Sequence, residues 1–453
     1  WLALVFLSVT SGMERNWLQK LTSLHAPIRI SPTDAYYRSY FYQIDTISAA
    51  SGFALKSIGE KKEAPHSDPY CEESDWEIPT HWQKKDLTQD GSLFDPVKSA
   101  FAELTLLKKK IPTLSFQDYE ISGALLRLAI YPHGSNSPSY LSQMTYLLSW
   151  MEENPNLTSL LCESEGLQST NSTDLPIFLP KSYKENGAII GSRGTLSFSA
   201  PTAASSQEQR IWVQVVGFYD PGIVSIGNRS ILVPHQVTRS IASSNQTFSP
   251  DGTPTNGIFV WISDLKEARV VADQIRESFL KAGLNPYWKV ETYEDFEFAK
   301  DLMHQFQSDR TLLLLIASII LVVACSNIIS LLVLLVNDRK KEIAILQSMG
   351  ASFRSIASIF AFCGVAMGTI SCFFGTLAAL FTLHHLDSLV AFLSKIQGRA
   401  AFHPAFFGNS LPNQLEPTAL LFVLIATPIL SLAAGLIPAI KASRIHPSTI
   451  LRS

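Results

Sequence analysis

The residues best suited to act on another molecule are Glu342, Ile343, Ile345, Leu346, Met349 and Gly350, which follow the basic run Arg339, Lys340 and Lys341. Their chemistry is docking rather than bond making. Ile343, Leu346 and Met349 recur at helical spacing, and such a stripe gains nothing by facing water. Glu342 and the basic residues before it can pair across an interface and set its register. Gly350 can take the left-handed conformation that ends a helix and turns the chain back. The competing reading is a short amphipathic helix resting on lipid headgroups, for which one turn of apolar residues is little.

Bond-making chemistry finds no constellation in this chain. There is no G-x-x-x-x-G-K-[ST] loop to cradle phosphates, no G-x-S-x-G elbow and no H-E-x-x-H pair. His384 and His385 are adjacent, so on a helix they point to different faces and make a poor metal pair. Glu72-Glu73 and Glu152-Glu153 read as solvated faces. Asn-x-Ser/Thr triplets at Asn156, Asn171, Asn228 and Asn245 would matter only in a eukaryotic secretory setting. A net charge of −3 offers no basic body for nucleic acid.

Two long apolar segments flank the docking residues. Thr311–Val336 contains no Asp, Glu, Lys, Arg or His and exceeds the roughly 20 residues needed to cross hydrocarbon. Further runs cover 353–386 and 417–440, the last with Pro428 and Pro438, which neighbouring helices can accommodate. Within the first run, Ser326 and Asn327 are expected to form hydrogen bonds between helices. Arg339, Lys340, Lys341 and Arg354 fall in one connecting loop, and Lys441, Arg444 and Arg452 follow the last run. The positive-inside rule places both groups in the cytoplasm.

The chain opens on Trp1-Leu-Ala-Leu-Val-Phe-Leu7, too short to span and without a basic leader, which reads as the end of a first, truncated transmembrane helix. Residues 11–24 continue as a juxtamembrane helix with Met13, Trp17, Leu21 and Leu24 on one stripe. Four spans, with a large polar domain between the first and second, satisfy every charge constraint. His384, His385 and 395–412 then lie on the far side of the membrane from the docking residues.

The 453 residues divide accordingly into 1–24, 25–308 and 309–453. Strands are expected at Ile28–Ile30, Ile211–Phe218, Ser230–Pro234, Ile258–Ile262 and Tyr287–Thr292. Helices are expected at Asp95–Lys110, at Leu141–Met151, from Ser263 or Asp264 to Ala282, and at 294–310, the last with Phe298, Leu302 and Phe306 on one face. Strand–helix–strand near 258–292 fits a small α+β sandwich. Ser57–Thr113 reads as loop with short helices, and Asn154–Thr173 as irregular. Ser199–Arg210, rich in Ala, Ser and Gln, reads as an exposed hairpin tip or projecting loop. Cys325, Cys363 and Cys372 are small buried apolar residues of the last third, whereas Cys71 and Cys162 are free to pair only outside the cytoplasm.

Several of these segments resemble one family. Glu342-Ile-Ala-Ile-Leu-Gln-Ser-Met-Gly350 resembles the E-x-A-I-L-x-x-x-G signature of FtsX-like ABC transporter permeases. The run from Pro438 through Ala442 and Pro447 to Leu451-Arg452 is similar to that family's P-x-x-x-A-x-x-x-x-P-x-x-x-L-R ending. Ser8–Arg15 resembles the V-x-N-G-F-E-R segment of the lipoprotein-releasing (Lol-type) permeases, and Asn327–Arg339 resembles their second span. The likeness covers 1–30 and about 175–453, while 55–170 match nothing in the family and stand as an insertion.

The resemblance implies an α-helical membrane protein of the bacterial inner membrane with four transmembrane helices and a large α+β, MacB-like periplasmic domain. It implies a permease that binds no cofactor and is not itself an enzyme, ATP being hydrolysed by a cytoplasmic ABC ATPase dimer. A second permease subunit, identical or paralogous, completes the pore. The cargo is a lipoprotein, taken from membrane lipid and passed to a periplasmic lipoprotein carrier. Glu342–Gly350 becomes the coupling helix. Ala200, Pro201, Thr202 and Ala203 become a carrier-binding hook, by position rather than by matching residues. Ile319, Val323, Asn327 and Leu331 become a wall of the acyl-chain cavity. A mechanotransmitting FtsX-type regulator of periplasmic hydrolases and a macrolide- or peptide-export permease share these signals and remain alternatives.

Overall fold

The computed structural model describes residues 1–65, 68–131, 139–150, 155, 161–164, 174–201, 206–220, 229–242, 255–397 and 415–443. They form two units, one of Gln19–Met303 and one of Trp1–Leu18 with His304–Ser453. Helix α1 (Leu2–Leu24) begins in the second of these and ends in the first.

The 19–303 unit opens with β1 (Ile28–Pro32) and the short helices α2 (Asp34–Arg38), α3 (Tyr40–Gln43) and α4 (Ile58–Glu63). Helix α5 (Pro96–Lys110) starts where expected. The Asp95 carboxylate accepts from the backbone N–H groups of Val97 and Lys98, each at 2.9 Å, and Pro96 occupies the first turn. Its inward face, Val97, Ala100, Phe101, Leu104 and Leu107, is buried.

Strands β2 (Ser115–Ile130) and β3 (Ser139–Ser149) follow. Next come β4 (Leu161–Ser164), β5 (Leu175–Pro180), α6 (Lys181–Glu185), β6 (Arg193–Pro201), β7 (Ser206–Tyr219) and β8 (Ser230–Val233). The unit ends with α7 (His235–Ala242), β9 (Asn256–Trp261), α8 (Ala268–Lys281) and β10 (Trp288–Thr292).

Strand β2 organises this unit by belonging to two sheets. Its first part pairs with β9, from Ser115↔Trp261 to Glu120↔Asn256, completing the antiparallel sheet β10-β1-β9-β2. Its second part pairs with β3, from Ile121↔Leu148 to Ile130↔Ser139, and with β6 at Leu125–Leu128. From there the pairing continues β3-β8-β5-β7-β6 and returns to β2, closing a six-stranded barrel.

Alternate residues of each strand point into the barrel. Ala124, Leu126, Leu128 and Ile130 from β2 meet Leu147, Ile177, Leu179, Leu196, Val213, Val215, Ile231 and Val233, all within one buried cluster. The sheet outside the barrel is packed by α8, whose Ala268, Val271, Ala272, Ile275 and Phe279 are buried. Asp264 caps the 3-10 turn that leads into α8, and Gly283 takes φ +71° just beyond its end.

Most expected elements of this unit are present, with two corrections. Leu141–Met151 is not helical: 139–149 is strand β3. Its apolar residues fit helical spacing locally, but Leu141, Gln143, Thr145 and Leu147 alternate with more exposed neighbours against β2, and pairing overrides the local pattern. Residues 161–164, expected to be irregular, form β4 on the edge of β7. The stretch 55–170 supplies α4, α5, β2 and β3, so it is integral to both sheets rather than an appendage.

The other unit is helical. It contains most of α1 and of α9 (Glu297–Asp338), with α10 (Lys340–Ser348), α11 (Phe353–His384), α12 (Leu386–Gln397) and α13 (Pro417–Ser443). Among the described residues three helices are long and apolar enough to cross a membrane, at Ala299–Asp338, Arg354–His384 and Pro417–Gly435. Helix α1, expected as the end of a fourth span, is not among them, since its 23 residues include Glu14, Arg15 and Lys20. It is nevertheless part of the bundle. Leu4 and Leu7 pack with Ala379 of α11 and Ala419 of α13, and Arg15 pairs with Glu416 at 2.8 Å.

Helices α11 and α13 approach closely at small residues. A Cβ on Gly364 would lie 2.8 Å from the Ser431 carbonyl oxygen, and one on Gly435 would lie 3.2 Å from that of Phe360. Such proximity holds helices together by van der Waals packing where lipid replaces water outside.

Candidate functional site

Helix α10 is set off by two backbone breaks. Arg339 interrupts the path from α9, and its guanidinium pairs with Glu342 at 2.5 Å. At the other end Gly350 takes φ +97°, and the Ala351 N–H donates to the Leu346 carbonyl at 3.0 Å. Ser352 then caps α11 by accepting from the Ser355 N–H at 3.2 Å.

The apolar residues of α10 divide between two faces. Ile343 and Ala344 are buried, Ile343 in a cluster with Leu332 and Val336 of α9 and Ile356 and Phe360 of α11. Ile345 and Leu346 are each 48% exposed and Met349 is 78% exposed. The single outward stripe of Ile343, Leu346 and Met349 is therefore corrected. At 100° per residue, Ile343 lies about 60° from Leu346 and about 120° from Met349, far enough to anchor inward. The outward edge is Glu342, Ile345, Leu346 and Met349.

Two of the four expected hook residues, Ala200 and Pro201, end one strand of a two-stranded ribbon. Strands β6 and β7 pair from Arg193↔Gln214 through Ala200↔Gln207 to Pro201↔Ser206, whereas β2 accompanies β6 only as far as Ser197. Beyond that point the ribbon stands without a third strand among the described residues. Ser206–Arg210 are exposed, and Glu208 pairs with Arg210 at 3.0 Å and Arg127 at 3.5 Å. Ala200 and Pro201 end β6; Thr202 and Ala203 lie outside the described residues.

Ile319, Val323, Asn327 and Leu331 form one exposed line along α9. The inward side of α9 is a different one, with Ala317, Leu332 and Val336 buried. Ser326 and Asn327 thus face out of this unit rather than bonding within it, because they lie on the side opposite that packed stripe. A cavity of about 180 Å³ inside the bundle is lined by Ala317, Ile320, Leu321 and Ala324 of α9, with Cys372 and Val423 opposite. Sequence reading missed it, because all of α9 is apolar there and no residue marks the inner face.

Sequence reading also missed a buried polar cluster in the other unit. Asp118 and Glu120, two residues apart on β2 and both buried, meet α4 and α7. His235 Nε2 lies 3.0 Å from the Asp118 carboxylate, with Lys62 at 3.9 Å and Arg239 at 3.9 Å. Burial raises the Asp118 carboxyl, but the His235 hydrogen bond and the surrounding positive charge outweigh it, leaving a net lowering. Burial instead pushes Glu120 up to about 7. Nearby, Lys61 and Asp45 form an ion pair at 2.7 Å that is almost wholly enclosed. Alternating charge in a strand was the available signal.

Cys71 is an exposed free thiol, and the side chain of Cys162 lies outside the described residues. Among the described residues no group of three His, Cys, Asp or Glu side chains is arranged to hold a metal ion.

Comparison with known proteins adds the deciding observation. Residues 314–447, covering α9 from Leu314 through α10, α11 and α12 and into the end of α13, match the family model for the FtsX-like permease C-terminal domain. That region is similar to the FtsX-like permease C-terminal domain. The chain is 29% identical over 153 residues to the lipoprotein-releasing system transmembrane protein LolE of Haemophilus influenzae. It is 30% identical over 165 residues to LolC of the same organism, and 28% identical over 149 residues to LolC of Neisseria meningitidis serogroup B. The matches cover 34%, 36% and 32% of this chain. They span 37%, 37% and 35% of those relatives, so the likeness takes in little more than a third of each.

Proposed function

We propose that this protein is the permease subunit of a Lol-type ABC transporter that extracts acylated lipoproteins from the inner membrane. The observation that carries this reading is the outward edge of α10 within an FtsX-like permease domain. A helix fixed on one side by Ile343 and presenting Ile345, Leu346 and Met349 on the other is a rigid surface for a separate ATPase. Movement of that surface reaches α9 and α11 directly, because Ile343 is packed between them.

In this reading α1 is the fourth bundle helix, α10 faces the cytoplasm, and the 19–303 unit lies in the periplasm. The exposed line Ile319, Val323, Asn327 and Leu331 meets acyl chains at the junction with a second permease subunit. The β6–β7 ribbon receives a periplasmic carrier. Lipoprotein release is favoured over other permease activities by the names of the relatives that part of this chain matches.

The test is photocrosslinking in cells from Val323 and Leu331, each replaced by a photoreactive residue. Triacylated lipoprotein is expected in the adducts, with Leu321, on the inner face of α9, as the comparison site. Crosslinks to phospholipid alone at both sites, in cells that are exporting lipoprotein, would overturn the proposal.

A further inference from the structure

Helix α12 starts only one residue after the α11 span ends at His384. On one side Leu386 is buried and Val390 half-buried. On the other side Leu389, Phe392 and Ile396 are 51%, 66% and 65% exposed, at i, i+3 and i+7. Ser388 and Lys395 are exposed beside them. Apolar residues in one line with polar residues at its flank, in a helix of only 12 residues, suit a boundary between apolar and wet surroundings.

What covers this line is indicated by what it continues. The last turns of α11 expose Phe373, Phe374, Leu377, Leu380 and Phe381, the surface that a membrane span presents to acyl chains. A helix that begins at the end of such a span, after the single residue His385, starts at the depth where hydrocarbon gives way to headgroups. Lys395 has a long aliphatic stem that lets its ammonium reach phosphate while the stem stays apolar.

We propose that α12 lies in the plane of the bilayer interface, with Leu389, Phe392 and Ile396 inserted among the upper acyl carbons of the leaflet. It then fixes the end of α11 at headgroup level. The occupant of the apolar line is lipid, not a second protein. This rests on the membrane placement of α11, and the test separates the two.

The experiment uses the full-length protein, with its five cysteines replaced by serine or alanine, in vesicles of phosphatidylethanolamine and phosphatidylglycerol. Nitroxide labels are attached to single cysteines at Leu389, Phe392, Ile396, Ser388, Lys395 and, within α11, Phe373. Collision with oxygen, which concentrates in hydrocarbon, is compared with collision with a water-soluble nickel chelate. Oxygen is expected to dominate at Leu389, Phe392, Ile396 and Phe373, and the chelate at Ser388 and Lys395. Chelate dominance at Phe392 and Ile396, with oxygen dominance kept at Phe373, overturns the proposal while leaving the span intact. Loss of both collisions at Phe392 and Ile396 also overturns it, since that is protein burial. Chelate dominance at Phe373 overturns the placement of α11 itself.

Discussion

On the proposed function, replacing Leu346 and Met349 together by alanine should weaken binding of a separate ATPase about 100-fold without unfolding the permease. Fully burying a large apolar side chain is worth about 1.5–3 kcal/mol. Leu346 retains 48% of its accessible surface and Met349 78%, so docking can gain roughly 1 kcal/mol from the first and roughly 2 from the second. Their sum, about 3 kcal/mol, corresponds to about two decades of affinity. The assay is titration of the purified ATPase onto nanodisc-held permease, with thermal unfolding of the permease measured in parallel. Ile343→Ala serves as the contrast, since Ile343 is buried among Leu332, Val336, Ile356 and Phe360. It should cost about 2–5 kcal/mol of permease stability. An unchanged affinity for the double variant, within about threefold, would refute the docking edge; so would equal thermal losses for the double variant and Ile343→Ala.

Further outcomes follow from other features. Gly350→Val should weaken ATPase coupling, because φ +97° costs a β-branched residue on the order of 1–3 kcal/mol, and Gly350→Asn should retain most of it. Equal coupling in the valine and asparagine variants would show that the left-handed turn is unimportant. Gly364→Val should reduce the yield of folded, monodisperse protein in detergent, since its Cβ would meet the Ser431 carbonyl at 2.8 Å and overpacking costs about 1–3 kcal/mol or more; wild-type yield and melting would contradict this. Glu120 is raised to about 7 in the folded chain, so the stability it contributes is complete below its ordinary value of 4.5 and is lost as pH rises through 7. Glu120→Gln should therefore stabilise at pH 8 by on the order of 3 kcal/mol and have little effect at pH 4.5, a difference that melting curves at the two pH values will reveal. Equal shifts at both pH values would count against a buried, protonated carboxyl.

The apolar helices were legible because nothing competes with an uninterrupted run of apolar residues. Thr311–Val336 lies inside α9, and the runs from 353 and 417 coincide closely with α11 and α13. The start of α5 was legible for a local reason, the Asp95–Pro96 pair. By contrast β3 was misread because its side chains satisfy two periodicities, and only the partner strand β2 chooses between them. Barrel closure left no trace in the sequence, since it depends on β6 returning to β2 across some 65 residues of chain. The division of α10 was partly legible. Its composition pointed to an apolar edge, and Ile345, Leu346 and Met349 are exposed, yet the inward turn of Ile343 depends on α9 and α11. The inner and outer faces of α9 were illegible for the same reason that its span was obvious.

Strand β2 has a mechanical consequence. Its 16 residues, at about 3.3 Å each, make a continuous beam of roughly 50 Å between the barrel and the sheet outside it. At Glu120 and Ile121 the ladder changes partner, from Asn256 of β9 to Leu148 of β3, with no slack residue between. A load applied at the β6–β7 ribbon therefore enters β2 through its ladder with β6, runs along the backbone of β2, and passes through the β2–β9 ladder to β9, β1 and β10. The barrel and the outer sheet cannot drift apart by loop bending; they must either move as one rigid piece or break hydrogen bonds at that crossing.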